Sequence, residues 1–264
     1  MAFGDITNGL ATFLAQHRFA EELCVFLHVP KTAGSSLSHE LARLREPYIN
    51  IHRRYFHGEA VSFSRVEDEL GAAIDRGKID TARSCSGHFT WAMAASLRWA
   101  RPDARFFTFL RDPVARVISD YRYSRTPSHP THREMIAKFP SIESYLKAPE
   151  TQNKMSRFLL PDEAVSPVEI DAFVSRHYAF IGLLEDYAMS FNILARMLGE
   201  DAMPSEHKRV TEDTEDNLVD ITPELREQVA QVNQRDVALH DIARAKLDAV
   251  AGEWQALRAA AAAP

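Results

Sequence analysis

FLHVPKTAGSS, residues 26–36, decides how the rest of the chain is read. It runs from an apolar strand-like segment through a proline and a lysine into a string of small residues, with no acidic side chain among them. A strand ending at Val29, a turn at Pro30 and a cap at Ser35 or Ser36 would open a helix whose first N–H groups point back into the loop. Unmade amide bonds and the positive helix end together attract anions, and Gly34 lets the backbone come close to one. Lys31 adds a full charge, and Thr32, Ser35 and Ser36 add hydroxyl donors, so the loop suits a tetrahedral oxyanion such as a nucleotide phosphate. It is not a Walker A loop, because the lysine precedes the glycine. The plainer alternative is a strand-to-helix turn that binds nothing.

Other short apolar runs share the character of the first: Cys24–Val29, Ala82–Cys85, Arg105–Leu110 and Ala179–Leu183 read as strands. Helical patterns fall between and after them, at Ser36–Arg45, Arg65–Arg76, Trp91–Trp99, Pro113–Arg122, Val168–Arg176, Tyr187–Leu198 and Pro223–Arg258, the last as two helices. Short apolar strands alternating with helices imply crossover connections and a mainly parallel sheet covered on both faces. The fold class is therefore α/β with a helical C-terminal third, read as one domain over residues 1–264. Ligands of such sheets bind beyond the carboxyl ends of the strands, which groups the loops 30–36, 86–90 and 111–113.

A second feature, FTFLRDPVARVISDYRYS at 107–124, is a strand-to-helix junction with Asp112 as cap and Pro113 at the helix start. Val114, Val117, Ile118 and Tyr121 form its core face, and Arg116 and Ser119 lie on the flank, with Arg111 leaving the strand toward them. A guanidinium and a hydroxyl converging there would bind a second phosphate. Alternatively Arg111 pairs with Asp112 or Asp120, and Ser119 is a tolerated helix residue.

Composition narrows the classes. The 264 residues are 45% hydrophobic, enough for a sizeable core, and 31 Lys plus Arg against 37 Asp plus Glu give a net charge of -6 that argues against nonspecific nucleic-acid binding. Cys24 and Cys85 sit in or beside apolar runs, too few for a disulfide framework, and suggest a reducing compartment. The first twenty residues carry Asp5, no basic leader and no run of membrane length, so neither a secretory signal nor a membrane span is expected and the location is expected to be cytoplasmic. The alanine-rich end, Ala259–Ala263, reads as a fraying helix.

Together, HVPKTAGSS (28–36) and FLRDPVARVISDY (109–121) resemble the 5'-phosphosulfate loop and the 3'-phosphate-binding strand–loop–helix of sulfotransferases that use 3'-phosphoadenosine 5'-phosphosulfate (PAPS). The wording PKTAGSS is closest to the carbohydrate branch typified by heparan sulfate 2-O-sulfotransferases and their bacterial relatives. SGHF (86–89), QNKMSRFLL (152–160), IGLLEDYAMSFNILARMLG (181–199) and NQRDVALHDIA (233–243) extend the likeness to about residues 24–246.

The resemblance implies a P-loop-like three-layer fold in which Lys31, Thr32, Ala33, Gly34, Ser35 and Ser36 cradle the 5'-phosphate of PAPS. Arg111 and Ser119 would bind the 3'-phosphate, and Lys31 would contact the oxygen bridging phosphorus and sulfur, where charge develops as the S–O bond breaks. No metal is expected. Removing the proton of an acceptor hydroxyl calls for a base, and His88, on the loop after Gly87, is the candidate; otherwise it orders the loop by hydrogen bonding. His28, inside the strand, reads as a packed histidine, and His52, His57, His129 and His132 are weaker candidates.

IHRRYFHG (51–58) and RYSRTPSHPTHRE (122–134) are basic, aromatic and turn-rich, suited either to an anionic or sugar acceptor or to solvated loops, and Arg157 is equally open. The negative total charge favours a short glycan, glycolipid or other small hydroxylated molecule over a long sulfated polymer. Two other classes remain: a kinase-like enzyme with magnesium on Asp112, and a noncatalytic module binding the desulfated nucleotide or a glycan.

Overall fold

The computed structural model describes residues 2–51, 63–205 and 217–262, with backbone alone for 63–67, 69 and 262. Five strands, β1 (Cys24–Leu27), β2 (Tyr48–Asn50), β3 (Ser84–Gly87), β4 (Arg105–Leu110) and β5 (Phe180–Leu183), form one sheet in the order β2-β3-β1-β4-β5. Every pairing is parallel; Cys24 lies level with Ser84 on one side and with Arg105 on the other.

Helices supply the crossovers: α1 (Leu10–Gln16), α2 (Gly34–Leu44), α3 (Phe63–Asp75), α4 (Trp91–Ala100), α5 (Pro113–Ser124), α6 (His132–Lys138), α7 (Ile142–Lys147), α8 (Lys154–Leu159), α9 (Pro167–His177), α10 (Tyr187–Met197), α11 (Pro223–Val232) and α12 (Gln234–Ala262). β1, β3 and β5 are buried along their whole length, as parallel strands sandwiched between helices must be. Phe26, Phe107, Phe109 and Phe180 fill the sheet faces, with Phe109 edge-on to both Phe26 and Phe180.

The sheet is the α/β, mainly parallel, P-loop-like arrangement expected, with helices making up the C-terminal third. The four anticipated strands are present to within two residues at their ends. β2 was not anticipated: three residues at the sheet edge, only part-buried, leave no apolar run to read. The six- and seven-residue helices α1, α6, α7 and α8 were also missed, being shorter than two turns and so lacking a legible period. The break in the long C-terminal pattern falls at Asn233, and α12 continues to Ala262. The N-terminal segment, outside the recognised motifs, contributes Phe3, Ile6, Leu10 and Phe13 to the core.

From β1 the chain moves through α2 to the β2 edge, returns to β3, and then crosses β1 to reach β4 and β5. Connections leave β1 and β4 in opposite directions along the sheet, so a crevice opens between their carboxyl ends. The loops of the two motifs stand on its two banks.

Candidate active site

Between β1 and α2 the backbone takes the left-handed conformation twice, at Lys31 (φ 72) and Ala33 (φ 71). Left-handed residues alternating in a short loop curve the chain so that successive amides face a common concavity, the geometry of an anion nest. The Thr32 hydroxyl donates to Val29 O at 2.9 Å and the side chain is fully buried, so it closes the loop from inside. The hydroxyl proton, expected to serve an anion, is thereby engaged within the loop. α2 also starts before Ser35: its N-cap is Ala33, without a side-chain cap, so the first-turn amides of Gly34, Ser35 and Ser36 are not capped by the serine expected there. A helix start of this kind, eleven residues long, favours negative charge.

Gly34 is required by packing rather than by its dihedral. A Cβ at this position would lie 1.5 Å from Nε2 of His28, whose ring occupies the space. Lys31 leaves the loop toward α5, and its Nζ stands 4.2 Å from the centroid of the Tyr123 ring, a cation–π distance. Ser119 lies one helical turn before Tyr123, so the lysine and this serine address the same side of α5.

On the other bank, Asp112 Oδ1 accepts from Ala115 N at 2.8 Å with Pro113 at the first helical position, which is the expected cap. The turn is held again by Glu185, after β5, whose Oε1 accepts from Asp112 N at 2.7 Å. Arg111 is half-buried between these elements. Among the described residues its guanidinium makes no hydrogen bond and no ion pair, neither with Asp112 nor with Asp120. Burial lowers its proton affinity from the usual arginine range, with Glu185 and Asp112 pulling the other way. A half-buried cation with unused donors has the chemistry to hold an anion. The hydroxyl of Ser119, also half-buried, makes no hydrogen bond among the described residues.

Arg116 departs from its expected place on the flank. It is completely buried, with Nη1 3.2 Å from Asp120 Oδ2 and Nε 4.0 Å from Asp236 Oδ2, and it anchors α5 to the interior. Asp236 in turn accepts from Met155 N at 3.1 Å and from Ser156 N at 2.7 Å. Asn153 accepts from Arg235 N at 3.0 Å and from Asp236 N at 3.3 Å. Each helix start, α8 and α12, is therefore capped by a side chain from the other. The motifs QNKMSRFLL and NQRDVALHDIA thus meet as a reciprocal clasp behind α5, a pairing their separation in sequence conceals.

His88 follows β3 directly. Its Nδ1 lies 2.8 Å from His28 O, and its ring stacks on the His28 ring with centroids 4.4 Å apart and planes at 26°. A carbonyl only accepts, so Nδ1 carries a proton, and Nε2 is the ring atom that a base role would use. Loop ordering and proton acceptance, read as alternatives from sequence, would use different nitrogens of one ring. His28 is buried and packed, as expected.

The remaining candidates divide. Arg157 is exposed and donates to Pro149 O at 3.2 Å. His129 rests edge-on to Tyr123 at 5.2 Å, and His132 Nδ1 lies 3.2 Å from His129 O. These histidines stand three residues apart, a spacing metal pairs use, yet among the described residues no three His, Cys, Asp or Glu side chains group as a metal site. His52, His57 and all but Ile51 of segment 51–58 lie outside the described residues.

A parallel sheet with an amide-lined loop after its central strand, and an arginine turn after the adjoining one, places the protein in the P-loop-like α/β class. The chain belongs to the sulfotransferase family: the pattern described as "Sulfotransferase family" matches residues 20–241. Among solved structures it is similar to a sulfotransferase from Alicyclobacillus acidocaldarius, 19% identical over 86% of this chain and 97% of that one, with a TM-score of 0.49. It is also similar to mouse sulfotransferase SULT7A1 complexed with PAP, 13% identical over 90% of this chain and 93% of that one, with a TM-score of 0.45. No curated protein matches.

Proposed function

We propose that the protein transfers a sulfuryl group from PAPS to a hydroxyl of a small carbohydrate or glycolipid acceptor. The observation that carries this reading is Arg111, a half-buried guanidinium with neither ion pair nor hydrogen bond among the described residues, at the rim of the crevice whose other bank is the Lys31–Ser36 loop. Membership of the sulfotransferase family supports the reaction; the PKTAGSS wording supports the carbohydrate class of acceptor.

In this reading the amides of residues 31–36 hold the 5'-phosphate, while Arg111 and Ser119 take the 3'-phosphate. The acceptor oxygen attacks sulfur in line as the bond from sulfur to the 5'-phosphate oxygen breaks. The hydroxyl proton passes to Nε2 of His88, and Lys31 neutralises charge growing on the departing oxygen. The products are a sulfate ester and 3'-phosphoadenosine 5'-phosphate (PAP). Lys31 would reach that oxygen by leaving the Tyr123 face. None of the helices among the described residues is long and apolar enough to cross a membrane. Two buried free thiols, Cys24 and Cys85, favour a reducing, cytoplasmic setting.

Calorimetry with PAP and AMP tests the donor assignment. PAP is expected to bind at least tenfold tighter than AMP, and Arg111→Ala to cost PAP binding about 1.5–3 kcal/mol, roughly 10- to 150-fold in Kd, while leaving AMP nearly unaffected. Equal affinity for the two nucleotides in the wild-type protein would overturn the 3'-phosphate site. A screen of sugar, glycolipid and phenolic acceptors with labelled PAPS then reads the acceptor class.

A further inference from the structure

Four rings stand in file from the sheet interior to the loop after β3: Phe107, Phe26, His28 and His88. Their successive centroids are 5.5, 5.5 and 4.4 Å apart, with interplanar angles of 15°, 18° and 26°. Phe107 and Phe26 are fully buried on adjacent strands, which makes the inner end of the file rigid. Its last ring in file among the described residues is His88, the histidine assigned as base, with Phe158 edge-on to it at 6.4 Å.

His28 joins this file to the donor loop. Its Nε2 fills the place where any residue other than glycine at position 34 would carry a Cβ. Its backbone N donates to Gly87 O at 2.9 Å, and its carbonyl receives the Nδ1 proton of His88 at 2.8 Å. One residue thus touches the start of α2, the end of β3 and the ring of His88. A side chain that only filled this volume would need no flat face; one that sets the plane of a neighbouring imidazole does.

We propose that His28 is a positioning residue that fixes the ring plane of His88 relative to the Gly34 amide loop, so that base and donor hold a constant separation. The proposal rests on the reading of His88 as the base, and it assigns His28 no contact with substrate. It predicts that a flat ring is needed at position 28, whatever its proton chemistry.

The test compares His28→Leu, which fills space without a flat face, with His28→Phe, which keeps one. Nitrogen-15 imidazole spectra, assigned with His88→Gln, read the ring directly; calorimetry with PAP and turnover with labelled PAPS read the consequences. In the wild-type protein and in His28→Phe, His88 is expected to give one set of signals with the proton on Nδ1, and turnover within threefold of each other. In His28→Leu the His88 signals are expected to broaden or average, with kcat at least tenfold lower and PAP affinity within threefold. Equal turnover in the two variants, with His88 signals unchanged, overturns the proposal. If His28→Leu does not fold, Gly34→Ala, whose Cβ must displace the His28 ring, carries the test, and unchanged His88 signals there overturn it equally. Should the wild-type protein neither bind PAP nor transfer sulfate, the proposed function fails, while the spectra still decide whether His28 sets the His88 ring.

Discussion

His88→Ala is expected to lower kcat by about 10²–10⁴, the range that a positioned general base contributes, while PAP affinity changes by less than threefold. The separation of the two effects follows from the geometry. His88 is held by His28 O at 2.8 Å and by the His28 ring at 4.4 Å, both on β1 and its continuation, whereas the amides that would hold the nucleotide belong to residues 31–36. Removing the imidazole would take away the proposed acceptor for the hydroxyl proton and leave the left-handed turns at Lys31 and Ala33 as they are. Single-turnover kinetics with labelled donor, beside calorimetry with PAP, measure the two quantities separately. A loss confined to PAP affinity, with kcat retained, would make His88 a structural residue of the donor loop and leave the reaction without its base. His88→Gln, which keeps a hydrogen-bonding group without imidazole chemistry, should restore stability but not rate.

Much of this site is legible in the chain because its parts are local. A strand, a small-residue loop and a helix start are contiguous in 26–36, and again in 107–124, so period and capping rules find both banks of the crevice. Errors arise where position depends on distant residues. Ser35 and Ser36 have the chemistry of helix caps, but the left-handed turn at Ala33 starts α2 earlier. Arg116 has the spacing of a flank residue on α5; two carboxylates, one from Asp236 on α12, draw it inside. Gly34 reads as a residue that lets backbone approach an anion, whereas the nearest atoms to its missing Cβ belong to His28. Glu185 and Tyr123, which hold the arginine turn and face Lys31, carry no signal except their place in the fold. Local propensity predicts elements, and tertiary packing decides which face of them is used.

The clasp behind α5 yields the largest expected effect on stability. Asp120 Oδ2 accepts from Tyr145 OH at 2.9 Å, from Lys154 Nζ at 2.5 Å and from Arg116 Nη1 at 3.2 Å. Burial by itself would push this carboxyl up; the Lys154 ammonium and the Arg116 guanidinium more than reverse that and hold it well below the usual carboxylate range. Asp120→Ala removes the anion and leaves Arg116, with no exposure at all, facing Asp236 across 4.0 Å as its one remaining carboxylate among the described residues. Taking one partner from a buried pair costs about 3–5 kcal/mol, because the remaining charge stays desolvated. Urea unfolding is expected to show a lower midpoint with an unchanged slope. The pH dependence has a definite sign: a carboxyl depressed in the folded state stabilises fully above the unfolded value of about 3.9, and that contribution fades as pH falls toward the folded value. Acid unfolding of the wild-type protein should therefore steepen below about pH 4, and the stability gap between wild type and Asp120→Ala should narrow over the same interval. Because Ser119 adjoins Asp120 on α5, the variant should also bind PAP more weakly, with saturating PAP recovering part of the lost melting temperature by mass action. A variant within 1 kcal/mol of wild type at pH 7, by the scale that buried pairs set, would mean that Arg116 finds its counter-charge in Asp236 alone and that the clasp does not depend on Asp120.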